Sequence, residues 1–304
     1  MKKQTIWLII ALTVLIILFI IIKGCQPKLE QATGSKFASF DTLGITKIEI
    51  DASENNKDVI LTKAGETWML TSPIEYKADE QTIKYLMKSL SELPSNPDII
   101  SENPENQSKF EVDSTGTVVK IYEDEKIILD LIIGKTDEMG SHTYSRETDS
   151  DKVVSIPQNL SYKFEKKPDQ WRDKIIVDIP AEDLNIIDIV YANNQITYTN
   201  NDSVWTIVEN DESLNESPDK LRSITSAFSP LRTSQFQDEE TDMDWSAPEM
   251  TIKIVTATGM EYVIRFLAKD DKNIYIKVDG NDQIFITSNY MMTRFQKTLE
   301  DYKK

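Results

Sequence analysis

Few side chains in this 304-residue chain are of the types that do chemistry at neutral pH. There is one histidine, His142, and one cysteine, Cys25. A single histidine cannot build a His-based metal cluster, and no carboxylate spacing around His142 marks a site, so it reads as a hairpin surface residue. Carboxylates are abundant instead, 51 against 34 Lys and Arg. Five of them, Asp238, Glu239, Glu240, Asp242 and Asp244, form the best candidate for a bound cation, calcium. That run has neither the glycine nor the spaced ligands of a calcium loop and reads as a solvated, repulsive stretch. Hydrolysis of a glycoside needs two carboxylates at a set separation, and abundance alone selects no pair. No nucleophile elbow, P-loop, dinucleotide loop or cysteine pair occurs. These observations imply no cofactor and no catalytic constellation.

The remaining residues of interest have structural readings beside functional ones. Trp68 and Trp205 could stack on a carbohydrate or peptide, but a tryptophan recurring in a strand more often fills the space between sheet and helix. Asp79 suits a helix N-cap. Arg172 and Asp173 read as a capping or pairing element at a junction between domains.

All of these depend on where the chain is held. Ile6–Ile22 is seventeen residues interrupted only by Thr13, preceded by Lys2 and Lys3 and followed by Lys23. At about 1.5 Å per residue such a helix reaches roughly 25 Å, near the minimum for a membrane span. Ile22-Lys23-Gly24-Cys25 also resembles a lipobox, which would make Cys25 a lipidation site, although a charged residue two before the cysteine departs from that pattern. Residues 1–24 are therefore expected to be an anchor or signal segment and 25–43 a polar linker. Beyond residue 36 there are 29 basic and 50 acidic side chains, a polyanionic body that repels nucleic acid and anionic lipid. The expected location is a bacterial cell membrane, single-pass with an extracytoplasmic body, or a lipoprotein. The oligomeric state is left open.

The body repeats itself. Ile45–Ile50, Val59–Leu61 and Glu66–Leu70 read as three strands by their alternation, and Leu184–Val190, Gln195–Tyr198 and Asp202–Ile207 follow in the same order. A helix with the stripe Ile83, Leu86, Leu90 and Leu93 matches a second with Leu221, Ile224, Phe228 and Leu231, at a constant offset of 138. Thr117–Tyr122 then matches Met250–Val255, and hairpins follow in both. Leu160, Phe164 and Trp171 match Met291, Phe295 and Tyr302, at an offset of 131, on closing helices. The expected fold class is α+β: two tandem domains, 44–178 and 179–304, each of three strands, a helix, four mainly antiparallel strands and a covering helix.

Trp68, the Pro73…Ala78-Asp79 step, Leu86 and Leu90, the strand ending Leu131-Ile-Ile-Gly134-Lys135, Tyr144 and the closing Trp171-Arg172-Asp173-Lys174 together resemble the bacterial domain of unknown function 4340. In that family the turn here read as Glu111-Val112-Asp113 is usually Gly-Leu-Asp, and Gly134 is replaced by Ala268 in the second copy. A left-handed Gly134 would require the second copy to build that corner differently. The resemblance implies an auxiliary envelope role beside membrane transporter components. The expectation is a membrane-tethered, non-enzymatic scaffold. The alternatives are a glycan- or peptide-binding module and, third, a carboxylate-based hydrolase.

Overall fold

The computed structural model describes residues 41–51, 58–201, 204–239 and 242–303. The anchor Ile6–Ile22 and Cys25 lie outside the described residues. Among those described, no helix is long and apolar enough to cross a membrane.

The chain forms two compact units that divide between Arg172 and Asp173. The first begins with β1 (Lys47–Asp51), β2 (Val59–Ala64), β3 (Thr67–Ser72) and β4 (Tyr76–Lys77), followed by helix α1 (Glu80–Ser91). Next come β5 (Asp98–Ser101), β6 (Thr117–Glu123), β7 (Lys126–Thr136), β8 (Thr143–Glu147) and β9 (Val153–Ile156), then the short helices α2 (Leu160–Phe164) and α3 (Pro168–Trp171). The strands form one nine-stranded sheet in the order β4-β3-β2-β1-β6-β7-β8-β9-β5. All of its pairings are antiparallel.

The period of two explains the central strands. Ile48 and Ile50 of β1 are buried while Lys47 and Glu49 are half-buried, and Val119 and Ile121 of β6 alternate with Val118 and Lys120 in the same way. Helix α1 covers this core with Ile83, Leu86 and Leu90, three and four residues apart. The Asp79 side chain accepts the Thr82 amide at 2.8 Å, so the expected N-cap is present.

The second unit begins with β10 (Ile175–Val177), β11 (Leu184–Tyr191), β12 (Asn194–Asn201), β13 (Val204–Glu209) and β14 (Glu212–Glu216), then helix α4 (Pro218–Thr225). It continues with β15 (Leu231–Arg232), β16 (Gln235–Gln237), β17 (Met250–Thr256), β18 (Glu261–Ala268), β19 (Asn273–Val278), β20 (Ile284–Ser288) and α5 (Tyr290–Thr293). Its nine-stranded sheet runs β14-β13-β12-β11-β17-β18-β19-β20-β16, which repeats the order of the first. The two units are thus similarly built antiparallel sheets with helices, as the duplicated pattern implies. Strands β10 and β15 form a separate pair. That pairing explains why residues 173–178 belong with the second unit: Val177 is registered with Leu231.

Several elements differ from the expected pattern. Each sheet gains short edge strands, β4 and β5 in one and β14 and β16 in the other. Asp98–Ser101 and Gln235–Gln237 lie within stretches whose polar composition reads as connection, yet each needs only one neighbour, β9 or β20. The second apolar stripe is not all helix. Phe228 sits in a 3-10 turn after α4 and Leu231 is in β15, because Pro230 cannot continue a helix and disfavours it at Ser229. The closing segment of the first unit is likewise broken before Pro168, giving α2 and α3. In the second unit only a single turn, α5, and the 3-10 turn Leu299–Asp301 form. The apolar positions still reach the core: Phe164 and Trp171 are buried, as are Phe295 and Tyr302, although Met291 is only half-buried.

Phe228 is fully buried and stacks on Phe295 at 5.3 Å between ring centres. Phe228→Ala is expected to destabilise the second unit by about 3–5 kcal/mol, read as a lower urea midpoint at unchanged slope.

Candidate functional site

In the first unit a corner turn lies against the end of β7. Residues Ser108–Phe110 make one 3-10 turn that ends at Glu111, whose backbone is left-handed at φ 58° and ψ 33°. The amides of Glu111 and Val112 close back on the carbonyls of Ser108 and Gln107, at 3.2 and 3.1 Å. Glycine normally ends a helix in this way, because a Cβ in the left-handed region costs about 1–2 kcal/mol. Asp113 then accepts the Thr115 amide at 3.0 Å and its hydroxyl at 2.7 Å. The hydroxyls of Ser108 and Thr115, with the Thr115 amide, hold the Asp113 carboxyl down to about 2. Arg146 fixes the turn from the other side, donating Nε to the Val112 carbonyl at 2.6 Å.

Gly134 serves this corner by lacking a side chain. It is not left-handed; a Cβ there would lie 2.2 Å from the Phe110 carbonyl oxygen. Gly116 is similar, with 2.6 Å to the Glu111 carbonyl. In the second unit Ala268 occupies the matching place. Its amide is satisfied by the Glu249 carboxylate at 2.6 Å.

The corner opens a cavity of about 430 Å3 lined by Glu111, Thr115, Thr117, Lys135, Ser161 and Glu165, with both glycines at its wall. The Thr117 hydroxyl donates to Glu165 at 3.3 Å and Ser161 donates to the Gly134 carbonyl at 3.0 Å. A second cavity of about 300 Å3 shares Thr136, Ser161 and Glu165 with the first and adds Asn159, Tyr162, Lys166 and Gln170. A third, about 220 Å3, shares Tyr162 and Lys166 with the second and reaches Thr82, Tyr85 and Leu86 of α1 and Lys163. The three follow α2 as one groove. The tyrosines are open to solvent, Tyr85 61% and Tyr162 70% exposed. The Lys166 ammonium stands 4.5 Å from the centre of the Tyr162 ring. Burial lowers the pKa of Lys166, and the neighbouring charge that lowers it further is another lysine, Lys163.

His142 precedes β8 in a loop where Ser141 and Asp137 also meet. Ser141 Oγ lies 3.0 Å from His142 Nδ1, and Asp137 Oδ2 lies 3.4 Å from the same nitrogen. A charge relay needs the carboxylate on one ring nitrogen and the nucleophile on the other. Here both approach Nδ1, and the serine hydroxyl donates to Asp137 at 3.2 Å. Asp137 mainly receives the His142 and Ser141 amides, which lower its pKa and tie the loop.

The other sequence candidates are scattered. Trp205 is buried, and Trp68 is half-buried against the first core. Arg172 is fully buried, with its guanidinium 4.4 Å from the Tyr76 ring centre and 3.3 Å from Asp169, and its backbone bridges to Ala78. Asp173 accepts the Ile175 amide at 3.1 Å. In the acidic run, Asp244 is engaged by the Ser246 amide at 2.9 Å, and Glu240 lies outside the described residues. Among the described residues no three metal-ligating side chains converge. Of the sequence candidates among the described residues, only Gly134 borders the groove. Tyr85, Tyr162, Glu165 and Lys166 were missed, and the available signal was two tyrosines standing off the apolar stripes of their helices.

Two tandem antiparallel α+β units of one topology define a duplicated-domain protein. The family model described as Domain of unknown function (DUF4340) matches residues 68–245, more than half of the chain, and the chain belongs to that family. No curated protein matches it. Among solved structures, the H. pylori beta clamp in complex with 5-chloroisatin is similar at 9% identity and a TM-score of 0.19, over 86% of this chain and 57% of that one. The same clamp with 3,4-difluorobenzamide matches at 9% identity and 0.17, over 85% and 63%. The chain thus spans less than two thirds of those clamps.

Two predictions follow from the corner. Glu111→Gly removes the left-handed strain and is expected to stabilise the first unit by about 1 kcal/mol, measured by urea unfolding. Asp113 has a folded pKa below its unfolded one, so its contribution to stability is present above about pH 4 and lost as pH falls through about 2. Asp113→Asn is expected to lower the thermal midpoint above about pH 4 and, with that titration removed, to flatten the fall across the window between about pH 4 and pH 2.

Proposed function

We propose that this protein is a membrane-tethered, non-enzymatic component of the cell envelope that binds through the groove of its first unit. It serves as an accessory partner of a membrane transporter assembly. The tether is Ile6–Ile22, or lipid on Cys25.

The observation that carries this reading is the divergence of the two copies at one face. The core positions correspond: Leu86 with Ile224, and Phe164 with Phe295, are all buried. In the groove the basic positions Lys163 and Lys166 match Arg294 and Lys297, but the aromatic and acidic positions diverge. Ser223, Thr293 and Gln296 stand where the first copy has Tyr85, Tyr162 and Glu165. Residues needed only to stabilise the fold would recur in both copies, whereas exposed aromatics and converging polar groups in one copy are the marks of a binding surface. The shared Nδ1 approach at His142 supports a role other than nucleophilic catalysis.

Affinity purification of the full-length protein from gently solubilised membranes tests the partner. Integral membrane proteins are expected to co-purify, and recovery of the bait alone, repeated after cross-linking, would overturn the accessory role. Mass spectrometry of the mature N-terminus separates the tethers: an intact Met1-containing span excludes the cleaved lipoprotein.

A further inference from the structure

We propose that the groove along α2 binds an acidic oligosaccharide, with Tyr85 and Tyr162 as stacking faces, Glu111 and Glu165 as acceptors for sugar hydroxyls, and Lys163 and Lys166 as the contact for its carboxylate. The inference rests on the binding reading above and names its ligand.

Three observations point to this chemistry. First, polar side chains line much of the first two cavities. Carboxylates, Thr and Ser hydroxyls, and the amides of Asn159 and Gln170 line the first two cavities, so the wall holds both donors and acceptors for a polyhydroxylated ligand. Apolar lining is confined to Ile133 at one end and Leu86 at the other. A peptide that relies on buried side-chain anchors finds no pocket for them. Second, a sugar ring presents an apolar face of C–H groups beside its hydroxyls, and the open rings of Tyr162 and Tyr85 border the cavity next to the polar ones. Third, the cationic end stands within a chain of net charge −17. The Lys166 ammonium is partly desolvated, rests on a tyrosine ring and has a second lysine beside it. An arriving carboxylate supplies a compensating charge that no described residue is seen to give this lysine pair.

The backbone at the other end is consistent with a placed group. Glu111 keeps a glutamate in a conformation that favours glycine, and it does so at the wall of the largest of the three cavities. The second copy has Asp244 at the matching position, without a left-handed backbone.

Isothermal titration of the full-length protein in detergent, with tetragalacturonate as probe, tests the inference. Saturable binding is expected, weakened about tenfold by Tyr162→Ala and about tenfold by Lys166→Met, both with unchanged urea midpoints. The uncharged maltotetraose is expected to bind more weakly than tetragalacturonate to the unmodified protein and to lose little on Lys166→Met. No saturable binding of tetragalacturonate at millimolar concentration, or equal binding by the wild type and both variants, would overturn the site. Tighter binding of tetraglutamate with the same sensitivity to both variants would overturn the sugar and leave an anionic peptide. Failure here is separable from failure of the accessory role. Membrane partners that co-purify with a protein unable to bind tetragalacturonate leave that role standing, and sugar binding by a protein without partners leaves this site standing.

Discussion

The structure depends on β1 in one unit and β11 in the other being paired on both sides. In the first copy Ile48 of β1 lies opposite Leu61 of β2 and Ile121 of β6. In the second, Ile189 of β11 lies opposite Ile196 of β12 and Ile252 of β17. One neighbour is a local hairpin partner; the other is about seventy residues away. The distant ladder cannot form until the intervening chain, with its helix, is gathered beside the sheet, at the entropic cost of closing that loop. It is tolerant of loop length and intolerant of register. A shift of one residue would turn Ile48, Ile50, Val119 and Ile121 to the other face. That explains why the central strands of the two copies correspond while their connections differ.

What the central ladder leaves free is the periphery, and there the copies differ. The end of β7 is covered by backbone, which requires glycine at positions 116 and 134 and puts Glu111 into a left-handed turn. The end of β18 is covered by the Glu249 side chain reaching the Ala268 amide. A backbone turn approaches the sheet closely and then departs sharply, and the groove starts at that departure, between the turn and α2. The closing polar partners differ as well. Tyr198 and Tyr302 share a buried hydrogen bond of 3.1 Å in the second copy, where Trp171 fills the matching place in the first. Burial of those phenols raises their pKa, so both stay neutral and either hydroxyl can donate to the other.

The features read correctly from the sequence are those written in local periodicity. Alternation in Ile45–Ile50 and Met250–Val255, the stripes through Leu86 and Ile224, and the Asp79 cap each need only a few consecutive residues. Edge strands escaped because one neighbour suffices for them, so Asp98–Ser101 and Glu212–Glu216 carry no two-sided apolar signature. The closing helices were read too long because spacing at Leu160, Phe164 and Trp171 is preserved through a break at Pro168. Gly134 was assigned importance for conformation, when steric room decides it and the left-handed residue is the glutamate opposite. The groove was illegible because it is not local: Tyr85 and Tyr162 are brought together by packing α1 and α2 on one sheet, and nothing in either helix alone marks the other.

The charge of the body constrains how such a groove can work. With 29 basic and 50 acidic side chains beyond residue 36, the body repels an acidic ligand at long range, and electrostatic steering cannot speed its arrival. At physiological ionic strength, however, the Debye length is about 8 Å, so most of those carboxylates are screened from a ligand seated at α2. Lys166 is partly removed from that screening by its burial, and Lys163 is adjacent. The local cationic field therefore acts only once the ligand has arrived, and contact by hydroxyls and tyrosine rings must hold it there first. Added salt then has opposite effects on the two stages, easing approach and weakening the final ion contact. The aromatic and hydrogen-bonding groups of the groove are consequently required for retention, and the lysines select among the ligands so retained.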